Sequence, residues 1–504
     1  MARFIISHRL QGQDNSASPV AAMEEILPSL HAFDIRLDNQ VRSQGVRRRI
    51  HVDGDALELE RLREKWPQDL LVEPELERRP VRSLPGPIER LFEAQGDNPL
   101  AAGLGQSLTV VLRGAGKPVI GATATLLVAD VTGRGPGSRL TAISDDDGKA
   151  AFALNPSLWL PILLLIEPLH TFWDGWQPFP RDGMVVDLPP LPKDGPLGWW
   201  HQAVGIAQAS RTRGEGIRIG VVDTGVGPHP YLKHVRSLGA VVEGQYDAAP
   251  GAGHDVEEHG THVSGILAAR PTQGSGDYGG IAAGAEVLVV RVFPPGGGGA
   301  NQGDIAEAID LLSGEHQVDL INLSLGGPQP SQIEQDAIQA AIEAGTLCVA
   351  AGGNDGGPLM YPAAYPQAVS VSAVGLLGAD PPDSMAAHCA PTQAELFAAG
   401  GLYVANFSAF GALTCTAPGV GIISTVPAHS EVAAPYAVLS GTSMATPAAC
   451  AALASLLSED RVYRGLPRGI GRVQRASAVL ASTLTPLGIS PIFVGGGVSR
   501  AWPV

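Results

Sequence analysis

The sequence predicts an α/β protein with a parallel sheet, preceded by a small α+β domain and a β-sandwich. Three observations carry this reading. From about Trp199 onward, apolar runs (Ile217–Val222, Val287–Val292, Leu320–Leu323, Leu347–Ala350) alternate with helical stretches (Ile305–Leu312, Gln332–Glu343), the order in which crossover units build a parallel sheet. Between about residues 106 and 190, apolar and polar residues alternate (Leu108, Val110, Leu112, then Ala122, Ala124, Leu126, Val128), interrupted by Gly and Asp turns. That is the pattern of strands with one buried face. The first 82 residues mix both textures in a short span.

In order, residues 1–82 hold a strand (Phe4–Ser7) and a helical stretch after Ser18-Pro19 with Ala22, Ile26 and Leu30 in step. An alternating segment follows (Val46, Arg48, Ile50, Val52), then a turn at Asp53-Gly54, a helix from Ala56 to Trp66 and a strand at Leu70–Val72. Residues 83–105 read as a linker around Pro85, Gly86 and Pro87, with one short helix, Ile88–Ala94. Residues 106–190 form the sandwich; Asp145-Asp146-Asp147-Gly148 before a strand reads as a plain turn rather than a calcium loop. A Pro-rich linker, 191–198, leads into the α/β domain, 199–504.

The chain has 504 residues, with 34 Lys+Arg against 50 Asp+Glu, a formal charge of −16. This excludes a general nucleic-acid binder, which needs a basic face. Cys348, Cys389, Cys415 and Cys450 are too scattered for a disulfide framework, and none forms a Cys-x-x-Cys pair. They are expected to be reduced and buried. The apolar run Phe4–Ile6 ends at Ser7, His8 and Arg9, short of the ~7–15 residues of a secretion signal. The run near Ser157–Ile166 holds Pro161 and reads as a buried strand, not a membrane span. A soluble cytoplasmic protein with no membrane partner is expected.

Three segments of the last domain carry chemistry. Ile219-Gly220-Val221-Val222-Asp223-Thr224-Gly225 ends an apolar strand in a carboxylate and a glycine turn, and active groups of parallel sheets sit at such ends. His259-Gly260-Thr261-His262 opens a helix of small residues; His262 is expected to pack that helix. Gly441-Thr442-Ser443-Met444-Ala445-Thr446-Pro447 puts a serine where a strand meets the Ala-rich helix Ala448–Leu457, and amides at a helix start favour developing negative charge. The pattern is not Gly-x-Ser-x-Gly, which disfavours a lipase-type elbow.

Taken together, these segments resemble the subtilisin-like serine protease (subtilase) family, in that family's order Asp, His, Ser. Ala350-Ala351-Gly352-Gly353-Asn354-Asp355-Gly356 resembles its oxyanion-hole strand end, and Ser324-Leu325-Gly326-Gly327 its substrate-pairing strand. The resemblance implies that Ser443 attacks a peptide carbonyl, His259 moves the proton, and Asp223 orients the imidazole. It implies that Asn354 and the Ser443 amide hold the oxyanion, a term worth ~3–4 kcal/mol. Ser324, Leu325, Gly326, Gly327, Gly352 and Gly353 would line the substrate cleft, with Met360 near the floor of the primary pocket. Pro295–Asn301 would form the opposite wall, where a substrate strand adds between the two. No cofactor and no metal is expected; the loop where the family often binds calcium offers only Asp277 between Gln273 and Gly280.

By the same resemblance, residues 1–82 look like the family's propeptide, with a tail near Glu75–Arg82 lying in the cleft. Pro80 makes the Arg79–Pro80 bond a poor one to cut, leaving Leu76 or the neighbourhood of Leu84. The sandwich, with Gly116–Thr123 and Asp147–Phe152, looks like a carboxypeptidase regulatory-like module and departs from the family pattern. So does the stretch of about thirty residues between Gly375 and Asn406, read with a helix at Thr392–Ala399. The sandwich or the 376–405 insertion is where an adaptor contact is expected. Between Ser237 and Asp460, Arg270 and Arg291 stand against 22 acidic residues, a balance of −20, so basic or neutral protein segments are expected as substrate. The overall expectation is a serine endopeptidase regulated by its N-terminal domain. Two alternatives are a latent, catalytically silent binding scaffold and an esterase using the same triad.

Overall fold

A computed structural model of the chain describes residues 2–8, 26–30, 33–37, 49–66, 70–80, 107–131, 137–155, 157–428 and 432–501. The expected linker over 83–105, its helix Ile88–Ala94, and the helical stretch before Ile26 lie outside these residues.

The first sheet has four strands in the order β2-β3-β1-β4, from β1 (Ala2–His8), β2 (Asp34–Leu37), β3 (Arg49–Gly54) and β4 (Leu70–Pro74), all antiparallel. Helix α1 (Ala56–Arg63) starts where expected because Asp55 caps it, accepting from the amides of Leu57 and Glu58. The alternation read in the sequence puts Ile6, Ile50 and Val52 on one face, packed with Leu59, Trp66 and Leu70. A further strand, β5 (Glu77–Pro80), leaves this sheet and joins the α/β body.

Strands β6 (Ser107–Gly114), β7 (Lys117–Pro118), β8 (Thr123–Asp130), β9 (Ser138–Ile143), β10 (Lys149–Ala153), β11 (Trp159–Glu167), β12 (Gly175–Pro178) and β13 (Met184–Leu188) form two sheets. One is β10-β6-β13 with β7 on β6, the other β12-β11-β8-β9. Val110, Leu112, Leu126, Val128, Leu164 and Ile166 close the core between them. The Asp145 carboxylate accepts from the amides of Asp147 and Lys149, so the acidic run is a turn.

The main sheet has nine strands: β14 (Arg218–Asp223), β15 (Arg236–Val242), β16 (Gln245–Asp247), β17 (Glu286–Arg291), β19 (Leu320–Leu323), β21 (Leu347–Ala351), β22 (Val369–Leu376), β23 (Leu402–Val404) and β24 (Cys415–Pro418). Their order is β16-β15-β17-β14-β19-β21-β22-β23, with β24 also on β22, and only the β15–β16 and β22–β23 pairs are antiparallel. Short strands β18 (Ala300–Asn301) and β20 (Leu325–Gly326) stand apart from it, as does the hairpin of β25 (Ile422–Thr425) and β26 (Tyr436–Leu439). Alternate residues of each central strand fall in two separate cores: Ile219, Val221, Val287 and Val289 in one, Val222, Leu288, Val290 and Ile321 in the other. Both faces of the sheet are therefore covered, which is why its strands read as continuous apolar runs. Helices α2 (Trp199–Ala203), α3 (His259–Ala268) and α6 (Thr442–Glu459) lie on the first face, and α4 (Gln302–Asp310) and α5 (Gln332–Ala344) on the second. Helix α6 is buried at every residue except Glu459, and its alanines let neighbouring elements approach closely.

One expected element is corrected. Thr392–Ala399 is not an α-helix; only a single 3₁₀ turn, Ala394–Leu396, forms there. Phe397 packs on Tyr403, and the Ala398 amide bonds to the Leu402 carbonyl, so tertiary contacts pull the chain into a hairpin. Among the described residues no helix is long and apolar enough to cross a membrane.

Candidate active site

The carboxyl end of β14, the first turn of α3 and the first turn of α6 converge. Asp223 Oδ1 receives His259 Nδ1 at 2.7 Å and the Thr224 amide at 2.7 Å, and both side chains are fully buried. Gly260 allows this approach, since a Cβ there would stand 2.1 Å from the Gly225 carbonyl oxygen. Two residues that the sequence reading missed hold the arrangement. The Thr224 hydroxyl donates to Asp255 and accepts from the Gly260 amide, while Asp255 also takes the Thr261 amide. Asp255 thus satisfies a donor of the α3 N-terminus that Glu258, at φ 68°, does not. An acidic residue four positions before His259 was the available signal.

Ser443 is the second residue of α6. Its hydroxyl donates to the Ser324 carbonyl at 2.9 Å, and Ser324 Oγ donates back to the Ser443 carbonyl at 2.9 Å. His259 Nε2 has no hydrogen-bond partner among the described residues. No hydrogen bond therefore joins His259 to the Ser443 hydroxyl in this structure. Asn354 Oδ1 accepts from both the amide and the hydroxyl of Thr442 at 2.9 Å. Because a backbone amide only donates, this bond fixes the Asn354 flip and leaves Nδ2 as its donating atom. Thr442 is the third residue that the sequence reading missed.

The expected cleft residues separate into two groups. β5 lies between β18 and β20 as the middle strand of a three-stranded antiparallel ribbon, pairing Arg78 with Ala300, Arg79 with Gly326 and Pro80 with Leu325. The chain's own N-terminal segment therefore occupies the place expected of a substrate strand, between the Gly-rich wall and Ser324–Gly327. Leu76 sits at the far end of the ribbon, its amide held by Gln302 Oε1 at 2.7 Å. Gly352 and Gly353, in contrast, use their amides and carbonyls internally. Gly352 bonds Val371 and Met360, and Gly353 bonds Thr442 and Ala409. Met360 lies against Gly353. Beside Asn354 opens a cavity of about 450 Å³ lined by Asp355, the insertion residues Pro391, Thr392, Gln393, Glu395 and Leu396, and Phe410.

No group of three or more His, Cys, Asp or Glu suited to a metal ion occurs among the described residues. Asp277 is engaged by Lys193 and by the Tyr231 hydroxyl. His262 Nε2 reaches the carbonyls of Ile422 and Ala437, a packing role. The four cysteines are free and buried. Burial pushes the thiols of Cys348 and Cys415 up to about 12, so they stay protonated and unreactive.

A doubly covered parallel sheet with a buried carboxylate–imidazole pair and a serine at a helix start fits the class of subtilisin-like serine proteases. The comparison with known proteins agrees. The model of the subtilase family matches residues 214–478, more than half of the chain, and the chain belongs to that family. It is 35 % identical over 288 residues to Subtilisin Savinase of Lederbergia lenta, covering 57 % of this chain and 90 % of that one. It is 30 % identical over 296 residues to an intracellular serine protease of Paenibacillus polymyxa, covering 57 % of this chain and 80 % of the relative. In fold it resembles fervidolysin from Fervidobacterium pennivorans, described as a keratinolytic enzyme related to subtilisin. The TM-score is 0.57 at 18 % identity, and the match spans 99 % of this chain and 60 % of that one.

Proposed function

We propose that the chain is a serine endopeptidase in which Ser443 is the nucleophile, His259 the general base and then acid, and Asp223 the group that orients and stabilises the imidazolium. The Asn354 amide and the Ser443 backbone N–H hold the oxyanion. The observation that carries this reading is the 2.7 Å Asp223–His259 bond at the mouth of a cleft that already holds an extended peptide strand. A substrate strand between β18 and β20 presents its carbonyl at Ser324, beside the Ser443 hydroxyl. His259 Nε2 then takes the hydroxyl proton as the oxygen attacks, and returns it to the leaving amine.

The strand in the cleft also supports a regulatory role. Residues 1–82 act as a propeptide-like domain that blocks the site until it is displaced or cut. Leu76, bonded to Gln302 away from Ser324, is a poor site for that cut, and we place it beyond Pro80. The sandwich at 106–190 then stays on the catalytic domain at 199–504. Cytoplasmic residence is part of this reading, supported by the Paenibacillus relative described as intracellular. The same occupied cleft favours a second reading, a chain that stays latent because the strand is never released.

Intact-mass analysis of wild type beside Ser443→Ala after incubation tests the proposal. Loss of an N-terminal fragment from wild type alone supports a self-maturing protease. Two intact chains with no fluorophosphonate label on Ser443 refute catalysis, while two intact chains with Ser443 labelled identify the latent form. Asn354→Ala is expected to lower peptide turnover by about 10²–10³-fold.

A further inference from the structure

The face of β5 that turns into the body carries one charged side chain, Arg78. It is 0 % exposed, and so is its partner Glu334. The guanidinium meets the carboxylate as a fork, Nε to Oε1 at 3.2 Å and Nη2 to Oε2 at 3.0 Å, and Nη2 also reaches the Gln329 carbonyl at 2.8 Å. Glu334 is held from behind by the Tyr365 hydroxyl at 3.2 Å, and its own amide is capped by Ser331. Gly327 leaves the room: a Cβ there would lie 3.0 Å from Arg78 Nη1 and 2.9 Å from the Glu77 carbonyl oxygen. The next residue, Arg79, points outward and its side chain is 79 % exposed. Of two adjacent arginines, the cleft reads only one.

A carboxylate this deep is costly without a cation, and a planar fork is met by arginine but not by lysine. Once β5 leaves, Glu334 faces whatever strand replaces it. The ribbon's register runs toward Ser443: Arg79 opposes Gly326 and Pro80 opposes Leu325. A substrate in this register has its reacting carbonyl on the residue opposite Ser324, and the side chain entering the Glu334 pocket is the fourth before the cut. We infer that Glu334 is a specificity-determining residue, and that the protease selects protein segments with arginine four residues before the scissile bond. This rests on the proteolytic reading above. It sharpens a general preference for basic segments into one position and one side chain.

The test is a set of internally quenched peptides, identical except for Arg, Lys or Leu at that position. A second set carries the arginine at the second and third positions instead. Wild-type chain is assayed for kcat/KM, cut sites are read by mass spectrometry, and Ser443 is titrated with a fluorophosphonate. The expected result is a preference for Arg at the fourth position of about 10²-fold over Leu, retained in high salt. Glu334→Leu should reverse it in favour of the Leu peptide, and Glu343→Leu, on the same helix outside the pocket, should leave the ratio as it is. Equal rates for Arg and Leu peptides in wild type overturn the inference. So does an arginine preference that is the same at every position or vanishes with salt, which would reflect only the acidic surface. If Ser443 labels but no peptide is cut, the pocket does not serve substrate and the inference falls. If Ser443 neither labels nor cuts, the proteolytic reading itself fails. The wild-type series decides even if Glu334→Leu does not fold.

Discussion

Residues 2–80 meet the α/β body through buried charge as well as through Ile5 and Leu71, while residues 107–188 meet it mainly through apolar side chains. On the first side, buried Arg49 binds Glu307 and Asp310 of α4 at 2.7 and 2.8 Å. Glu73 accepts from the hydroxyl of Ser331 and the amide of Gln332 at the start of α5, and Gln302 brackets the chain at Pro74 and Leu76. On the second side, Leu127, Leu163 and Leu165 close around Met385 of the 376–405 insertion, and Trp176 stacks on His388 with ring centroids 4.2 Å apart. Ionic contacts of this kind are directional and fail when one partner goes, whereas apolar burial tolerates small shifts. The first interface is therefore the more sensitive to loss of a single charge, the second to loss of apolar volume. The insertion is the seat of the sandwich within the chain itself, and any adaptor would have to bind around that contact.

The largest expected effect falls on the charged side. Arg49→Met leaves Glu307 and Asp310 buried without a cation and should destabilise the N-terminal region by about 3–5 kcal/mol. Hydrogen exchange in β3 and faster fluorophosphonate labelling of Ser443 would report it. Normal exchange in that variant would contradict the contrast between the two interfaces. Leu163→Ala should cost about 2–4 kcal/mol on the apolar side, with the same loss at low and high salt and no gain in Ser443 labelling. Chemical denaturation followed by tryptophan fluorescence measures it.

Acidity sharpens the comparison next. Burial raises the Asp174 carboxyl to about 7, with the amides of Met385 and Ala386 pulling down and Asp380 and Glu167 pushing up. Burial likewise raises Asp380 to about 7, and Cys389 and Tyr403 are the other titratable groups facing this pair. Both acids hold protons in the folded state that the unfolded chain has released, so their contribution is fully present below about pH 4 and is lost as pH rises toward 7. The expected slope is at most about 1.4 kcal/mol per pH unit for each group. Asp174→Asn should flatten the fall in melting temperature between pH 5 and 7, and an unchanged profile would show that the pair does not govern it. The smallest effect belongs to Arg3, whose half-exposed guanidinium meets Glu75 and Glu243. Arg3→Ala should cost at most about 0.5–1 kcal/mol, vanishing in high salt, as a thermal melt would show.

What the sequence made legible follows from range. Asp223, His259 and Ser443 each sit in a local context of strand end or helix start, and that context is written in neighbouring residues. The tail near Glu75–Arg82 came only from the family resemblance, and of it the described residues Glu77–Pro80 form β5. Glu334 was not legible, since on a helix read by periodicity an acidic residue belongs to the solvent face, and only the fold brings Arg78 from 256 positions away to meet it. The failed helix at Thr392–Ala399 has the same cause: its propensity is local, and the contact of Phe397 with Tyr403 is not.

The three-stranded ribbon has a consequence for concentration. While the chain is continuous from Pro80 to Ser107, β5 meets its groove as an intramolecular partner, at an effective concentration on the order of millimolar. One cut between them changes no contact in the ribbon, yet turns that encounter into a collision between two molecules. At micromolar protein this alone weakens occupancy roughly a thousandfold. Dilution then does what no rearrangement of the fold is needed to do.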